Sequence, residues 1–237
     1  MINKIDRLNE SMTIGEIAKD FPESMNLFYD EGIDFCCGGD RTIKQAAKED
    51  GFDLTVLLEK LGQVSRMTGN QKSTIPFNEM TKEELISHIV DTHHQYVLEN
   101  LPRIESLTET IKEVHGENHG DSLKPLYENF VELKNELMEH LRKEEEELFP
   151  LVIKIEKGKA SKKEIERLIT ELENEHENAG EILKENRRIT KDFTPPAGAC
   201  NTYVFTFEKL IEFERDLFQH IHLENNLLFK DIENTIS

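Results

Sequence analysis

The chain has 237 residues, of which 37% are hydrophobic, so it is long enough for one or two domains with a buried core and is not a disordered chain. Its 48 acidic residues outnumber 29 basic ones and give a formal net charge of −19, which disfavours binding to nucleic acid or to an anionic membrane. Such an excess of acidic residues is compatible with a protein that binds cations.

The N-terminus and the cysteines indicate a cytoplasmic protein. Residues 1–10 lack the apolar core of a signal peptide, and no stretch approaches the roughly 18 apolar residues of a membrane span. Three cysteines, of which Cys36 and Cys37 are adjacent, cannot form a disulfide framework. This use of cysteine is typical of a reducing compartment.

Residues 1–67 are predicted to form a small helical domain, because helix-capping and helix-ending signals follow one another closely and strand alternation is almost absent. Residues 68–79 are polar, are broken by Gly69 and Pro76, and are predicted to be a linker. The helix signals are a capping box at Thr13 to Glu16, Pro22 and Thr42 as helix starts, Gly51 as a helix end, and Asp53 as a further cap.

Residues 80–237 are predicted to form an antiparallel four-helix bundle. Capping and turn signals divide them into four long helical segments, and the short connections make neighbouring helices antiparallel. Pro102 and Pro150 lie within the helical patterns and are expected to kink or interrupt them. The segments are about 82–114, 121–157, 162–192 and 200–234, with capping boxes at Thr81 and Ser161, a turn between Gly116 and Gly120, and an end at Gly158.

The apolar stripe of each long helix contains one histidine, and two of the stripes also contain a glutamate. Apolar residues recur at spacings of three and four, and these polar residues keep the same phase. The second and fourth helices share the repeat H-x3-E-x3-L-F, which suggests two equivalent half-sites. The polar members are His94, His140 with Glu144, His176, and His220 with Glu224, and the flanking apolar members include Val90 and Leu151.

These six polar positions predict a metal centre. Burying an ionised carboxylate without a partner is costly, and no Lys or Arg lies on the four stripes, so metal ions are the natural countercharge. Histidine and carboxylate ligands without a thiolate suit non-haem iron or manganese and leave zinc open. A glutamate one turn after a histidine shares its helix face and can bridge two metals, which leaves a coordination position on each metal for a small ligand.

The other histidines fit the stripes less well. His93 is one residue out of phase and His88 lies further back, so phase favours His94 and leaves the other two either near the metals or at the surface. Three more histidines fall in turns or off the stripes and are expected to be exposed to solvent: His115, His119 and His222.

Cys36 and Cys37, followed by two glycines, are predicted to form a small, exposed pair of thiols. A disulfide between adjacent residues is strained, so thiolate chemistry or transient metal transfer is favoured over a structural bridge. A reduced turn that packs the domain is the alternative. Cys200, near the start of the fourth helix, is expected to be a small buried residue rather than a thiolate.

Longer motifs accompany these residues: D-F-C-C-G-G at residues 34–39, Glu175-His176, Asn225-Asn226 directly after Glu224, and Pro195-Pro196-x3-Cys200. With them the chain resembles, over nearly its whole length, the iron–sulfur cluster repair di-iron family, in which a small helical module precedes a hemerythrin-like bundle. The resemblance implies two non-haem iron ions, one histidine ligand from each helix and two bridging glutamates. These residues are His94, His140, His176 and His220, with Glu144 and Glu224.

The resemblance implies repair of iron–sulfur clusters damaged by nitric oxide or peroxide, by release of iron, and favours this role over enzymatic catalysis or oxygen carriage. It implies damaged iron–sulfur proteins as partners and nitric oxide or dioxygen as small ligands, and it leaves a homodimer open. Reduction of nitric oxide or peroxide, and sensing of oxygen or nitric oxide, are the alternative functions.

Four more residues acquire candidate roles from the resemblance. Glu136 and Glu175 match family carboxylates near the metals and are candidates for a route of iron or protons, with solvated surface charges as the alternative reading. Cys36 and Cys37 are candidates for thiol chemistry in iron transfer.

Overall fold

The computed structural model describes residues 8–68, 77–155 and 161–236, and within these ranges the regular structure is entirely helical. The all-α prediction is therefore confirmed. The chain divides into two compact units: the described residues up to Leu85 together with those from Phe218 onward, and Ile86–Leu217. The predicted boundaries at 67 and 80 remain a prediction, because most of the linker lies outside the described residues. None of the described helices is long and apolar enough to cross a membrane.

The first unit begins with short helices whose ends follow the sequence signals. Thr13 and Thr42 each form the predicted capping box, and Asp53 accepts hydrogen bonds from the backbone of the helix it precedes. Gly51 ends the third helix with φ 81°, a left-handed conformation that favours glycine. The helices are α1 (Ile14–Asp20), α2 (Ser24–Asp30), α3 (Ile43–Asp50) and α4 (Leu54–Thr68), followed by a 3₁₀ turn at Phe77–Glu79.

The second unit contains the long helices. After α5 (Lys82–His88) a π-helical turn leads into α6 (Gln95–Lys143), and a second π-helical turn leads into α7 (Phe149–Ile155). Next come α8 (Lys162–Thr190) and α9 (Asn201–Leu223), whose last residues belong to the first unit, as do a third π-helical turn and α10 (Phe229–Ile236). Within the second unit α8 packs along α6, and the ring of Phe213 on α9 lies 5.9 Å from that of Phe130 on α6.

The turn predicted between Gly116 and Gly120 is a kink rather than a loop. Helical backbone continues through α6 except at His119, where φ is −133° and ψ is 21°. Pro102 lies inside α6 at a residue that keeps helical backbone angles, so the expected interruption falls at His119 instead. Pro150 follows the second π-helical turn, in the first turn of α7.

Three π-helical turns separate the long helices from their continuations, at Ile89–His94, Glu144–Leu148 and Glu224–Leu228. Each begins or ends at a residue of the predicted metal centre. A π turn holds an extra residue and shifts the phase of the buried stripe. Ile89 and Val152 are therefore buried, whereas the predicted Val90 and Leu151 are only half-buried.

Two helix-end signals had other outcomes. Ser161 precedes α8 in an extended conformation, but its side chain makes no capping hydrogen bond, so the capping box predicted there is wrong. Gly158, predicted to end a helix, lies outside the described residues.

An ion pair between a half-buried arginine and a buried glutamate joins α8 to α9 in the second unit. The guanidinium of Arg187 donates to both carboxylate oxygens of Glu214, at 2.6–3.0 Å, and Glu214 is only 1% exposed. Arg187 also contacts Asp192 and the ring of Phe193, in a three-residue segment with positive φ that ends α8. The pair therefore fixes the connection between the two helices.

Candidate metal centre

Four predicted ligands come together in the second unit. The Nε2 atoms of His94 and His140 lie 3.4 and 3.5 Å from Oε2 of Glu144, and Nε2 of His176 lies 3.0 Å from Nε2 of His140. All four side chains are buried, and Glu144 is completely inaccessible to solvent. Two imidazoles thus turn their Nε2 atoms toward a buried carboxylate and a third lies beside one of them, which is an arrangement that can bind a cation.

The other H-x3-E motif forms a matching pair in the first unit. Nε2 of His220 lies 3.0 Å from Oε1 of Glu224, one helical turn further on, and both side chains are buried. Glu224 begins the third π-helical turn, just as Glu144 begins the second. π-helical turns occur preferentially at functional sites, and this shared position supports the two equivalent half-sites that the sequence repeat suggests.

Carboxylates outside the cluster hold two of the imidazoles. His140 Nδ1 lies 2.8 Å from Oε2 of Glu175, and His94 Nδ1 lies 2.8 Å from Oε1 of Glu145. A carboxylate on Nδ1 fixes the ring orientation and leaves Nε2 as the ligand atom, as is usual for metal-bound histidine. Glu145 was not predicted, because in this run of four glutamates only Glu144 keeps the phase of the buried stripe.

Glu175 remains ionised at neutral pH. Its hydrogen bond with His140, helped by Lys143, lowers the pKa of Glu175 to about 2, against the opposing effect of partial burial. Glu136 lies at the surface, where partial desolvation and the neighbouring carboxylates of Glu132 and Glu175 raise its pKa. Of the two candidate carboxylates, Glu175 is therefore the one that the structure places against a predicted ligand, His140.

His93 and His94 point to different partners. His93 is buried, with Nδ1 2.9 Å from Oδ1 of Asp216 on α9, whereas His94 contacts Glu144. His88 is half-buried, and burial lowers its pKa. The contacts therefore favour His94 as the ligand, as the helical phase does.

The expectation of solvent exposure is wrong for His222. His115 and His119 are half-buried near the kink in α6, but His222 is fully buried, with Nδ1 3.2 Å from the backbone oxygen of Phe35. Burial lowers the pKa of His222 to about 4, so the ring is neutral at pH 7. The burial of His222 could not be predicted from the apolar stripe, because the residue lies off the stripe and contacts a residue 187 positions away.

The cysteines differ from expectation in exposure. Cys37 is exposed but Cys36 is buried, so the two do not form an exposed pair. A hydrogen bond with Cys37, together with burial, raises the pKa of Cys36, which is therefore a neutral thiol. The prediction of a buried Cys200 is also wrong: its thiol is exposed, with Sγ 3.2 Å from Nε2 of His115.

The fold and these clusters define a class: an all-α protein whose long helices carry buried histidines and glutamates suited to cations. Comparison with known protein families supports this class. Residues 85–232 match the hemerythrin HHE cation binding domain, and residues 10–65 match ScdA_N, a domain of unknown function.

Comparison with individual proteins narrows the class. The chain is 34% identical over 220 residues to the iron-sulfur cluster repair protein ScdA of Staphylococcus epidermidis. The aligned residues make up 92% of this chain and 96% of that relative. The chain is also 34% identical over 225 residues to the iron-sulfur cluster repair protein YtfE of Yersinia pseudotuberculosis, covering 95% and 97%. The ScdA protein of Staphylococcus haemolyticus is 30% identical over 221 residues, covering 93% and 97%. The chain belongs to this ScdA and YtfE family of hemerythrin-like proteins.

Proposed function

We propose that His94, His140, Glu144, His176, His220 and Glu224 together bind two iron ions. The support is chemical: four imidazoles and two fully buried carboxylates, with no thiolate, form a ligand set suited to non-haem iron, and the domain match is to a cation-binding family. Iron in such a centre supplies Lewis acidity and one-electron redox chemistry. The described residues therefore fit the metal that the family implies.

The two glutamates are proposed to bridge the ions. Glu144 lies beside the Nε2 atoms of two histidines from different helical segments, and Glu224 lies beside that of His220. Glu145 and Glu175 orient their histidines from outside and keep the Nε2 atoms unprotonated and available to the metal.

We propose that the protein repairs iron–sulfur clusters damaged by oxidative or nitrosative stress, by donating iron. The observation that carries this is the match, over more than nine-tenths of the chain, to relatives named iron-sulfur cluster repair proteins. The partners are then damaged iron–sulfur proteins, and the iron delivered is a cargo. We propose that the protein acts in the cytoplasm, because its three cysteines cannot form a disulfide framework.

Recovery of a damaged enzyme tests iron donation. The iron-loaded protein is incubated with a purified iron–sulfur enzyme whose cluster was damaged by peroxide or nitric oxide, beside ferrous salt at the same iron concentration. We expect faster and more complete recovery with the protein, and recovery at the level of the salt with His176→Ala. Equal recovery with the protein and the salt would contradict the proposal.

Glu175→Gln is expected to weaken iron binding by about 10–100-fold, because it removes the carboxylate that orients His140. Glu177→Gln on the same helix makes the same change of charge at an exposed position and is the matched control. Competition with a coloured ferrous chelator measures both. Equal affinities in the two variants would show that Glu175 has no positioning role.

A further inference from the structure

The backbone around Cys36 is held by the side chain of Asn226. Nδ2 of Asn226 donates to the backbone oxygens of Phe35 and Cys36, at 3.2 and 3.0 Å. His222 adds a contact of 3.2 Å to the same Phe35 oxygen. We call residues 34–39 the cysteine loop. Nδ2 of Asn225 lies 3.5 Å from the Cys36 oxygen. The two carbonyls and the three polar side chains that contact them are all in the first unit.

Two glycines make room for Asn226. A Cβ atom on Gly39 or on Gly15 would lie closer than 3.0 Å to Oδ1 of Asn226, which real Cβ atoms essentially never do. Neither glycine has a left-handed backbone, so space rather than conformational freedom explains them. The amide of Gly15 also donates to the oxygen of Gly39, at 2.8 Å. Helix α1, the cysteine loop and the third π-helical turn therefore meet at this one side chain.

The same π-helical turn carries a proposed iron ligand. Glu224 is its first residue and Asn226 its third, and the backbone oxygen of Glu224 accepts the hydrogen bond from Phe229 that closes the turn. Asn226 and Glu224 are both buried. Because close-packed interiors transmit strain, a displacement of Asn226 is expected to shift the turn that carries Glu224.

We propose that Asn226 is a positioning residue that couples the cysteine loop to the iron ligand Glu224. Iron bound at Glu224 stabilises the π-helical turn, and through Asn226 it keeps Cys36 buried. By reciprocity, exposure of Cys36 weakens iron binding by the same factor. The coupling rests on the proposed iron centre, whereas the contact of Asn226 with the loop does not.

Alkylation of Cys36 without iron tests the contact. The sequence has three cysteines, so Cys37→Ser with Cys200→Ser leaves Cys36 as the sole thiol. In this background Asn226→Asp is expected to raise the rate of reaction with iodoacetamide about tenfold, because it removes the donor to both carbonyls. Asn234→Asp, an equal change of charge at an exposed position of α10, is the control and should leave the rate unchanged. Equal rates in the two variants would overturn the proposal.

A double-mutant cycle tests whether Gly39 acts through Asn226. It also distinguishes a local effect on Cys36 from general unfolding. Gly39→Ala alone is expected to raise the rate about as much as Asn226→Asp, because the new methyl group displaces Asn226. Added to Asn226→Ala, which removes the clashing atoms, Gly39→Ala should have little further effect. Fully additive effects, with helical circular dichroism unchanged, would contradict a shared site of action.

Iron loading tests the coupling. Ferrous iron is expected to slow alkylation of Cys36 about tenfold in the single-thiol background and to have little effect with Asn226→Asp. If the background binds iron but its alkylation rate does not change, the coupling is wrong. If it binds no iron while Asn226→Asp still accelerates alkylation, the iron centre is wrong and the contact stands.

Discussion

His176→Ala and Glu224→Ala are each expected to reduce bound iron by half or more, whereas His115→Ala retains the full amount. His176 supplies an Nε2 atom to the buried cluster of the second unit, and Glu224 supplies the carboxylate of the other H-x3-E pair. Removing either takes away one of the six proposed ligands. Metal analysis of the purified variants, by mass spectrometry or a chelator assay, measures the iron per chain.

His115 is a suitable control because it is a histidine of the same unit with different neighbours. Its Nε2 contacts the thiol of Cys200, and its ring lies 5.3 Å from that of Tyr203. Its loss therefore leaves the cluster around Glu144 unchanged. Equal iron contents in all three variants would refute the proposed ligands.

Arg187→Met is expected to lower the free energy of unfolding by roughly 1.5–3 kcal/mol, because it removes the charged donor from the buried carboxylate of Glu214. Methionine keeps an apolar side chain against Phe193, so the loss of stability measures mainly the removal of the positive charge. Urea unfolding of the iron-free protein, followed by circular dichroism, measures it.

Arg188→Met is the matched control for this experiment. Arg188 is the next residue on α8, but its side chain is 71% exposed and its partner is an exposed glutamate three residues earlier. Exposed pairs of this kind contribute little to stability. Equal destabilisation by the two substitutions would show that the contact with Glu214 is not a principal stabilising interaction.

Helical phase was sufficient to predict the clusters but not the details of the stripes. His140, Glu144 and His176 replace apolar residues at regular spacing, and that pattern is visible in the sequence. The π-helical turns are not visible, because an added residue per turn depends on packing around the cluster. This is why Val90 and Leu151 were predicted to be buried in place of Ile89 and Val152.

Exposure away from the stripes could not be predicted for a different reason. His222, Cys36 and Cys200 have environments set by residues far away in the sequence: Phe35, Asn226 and His115. A single sequence contains no periodic signal for such contacts. Gly15 and Gly39, which accommodate Asn226, were weak signals, since a glycine is more often explained by its backbone conformation than by a close contact.

Iron analysis combined with Mössbauer spectroscopy of the freshly purified protein tests the central claim most directly. The proposed centre predicts two iron ions per chain and the spectrum of a bridged pair, with loss of that spectrum in Glu224→Ala. A protein that binds one unbridged iron per chain, or that retains the bridged spectrum in Glu224→Ala, would contradict the account.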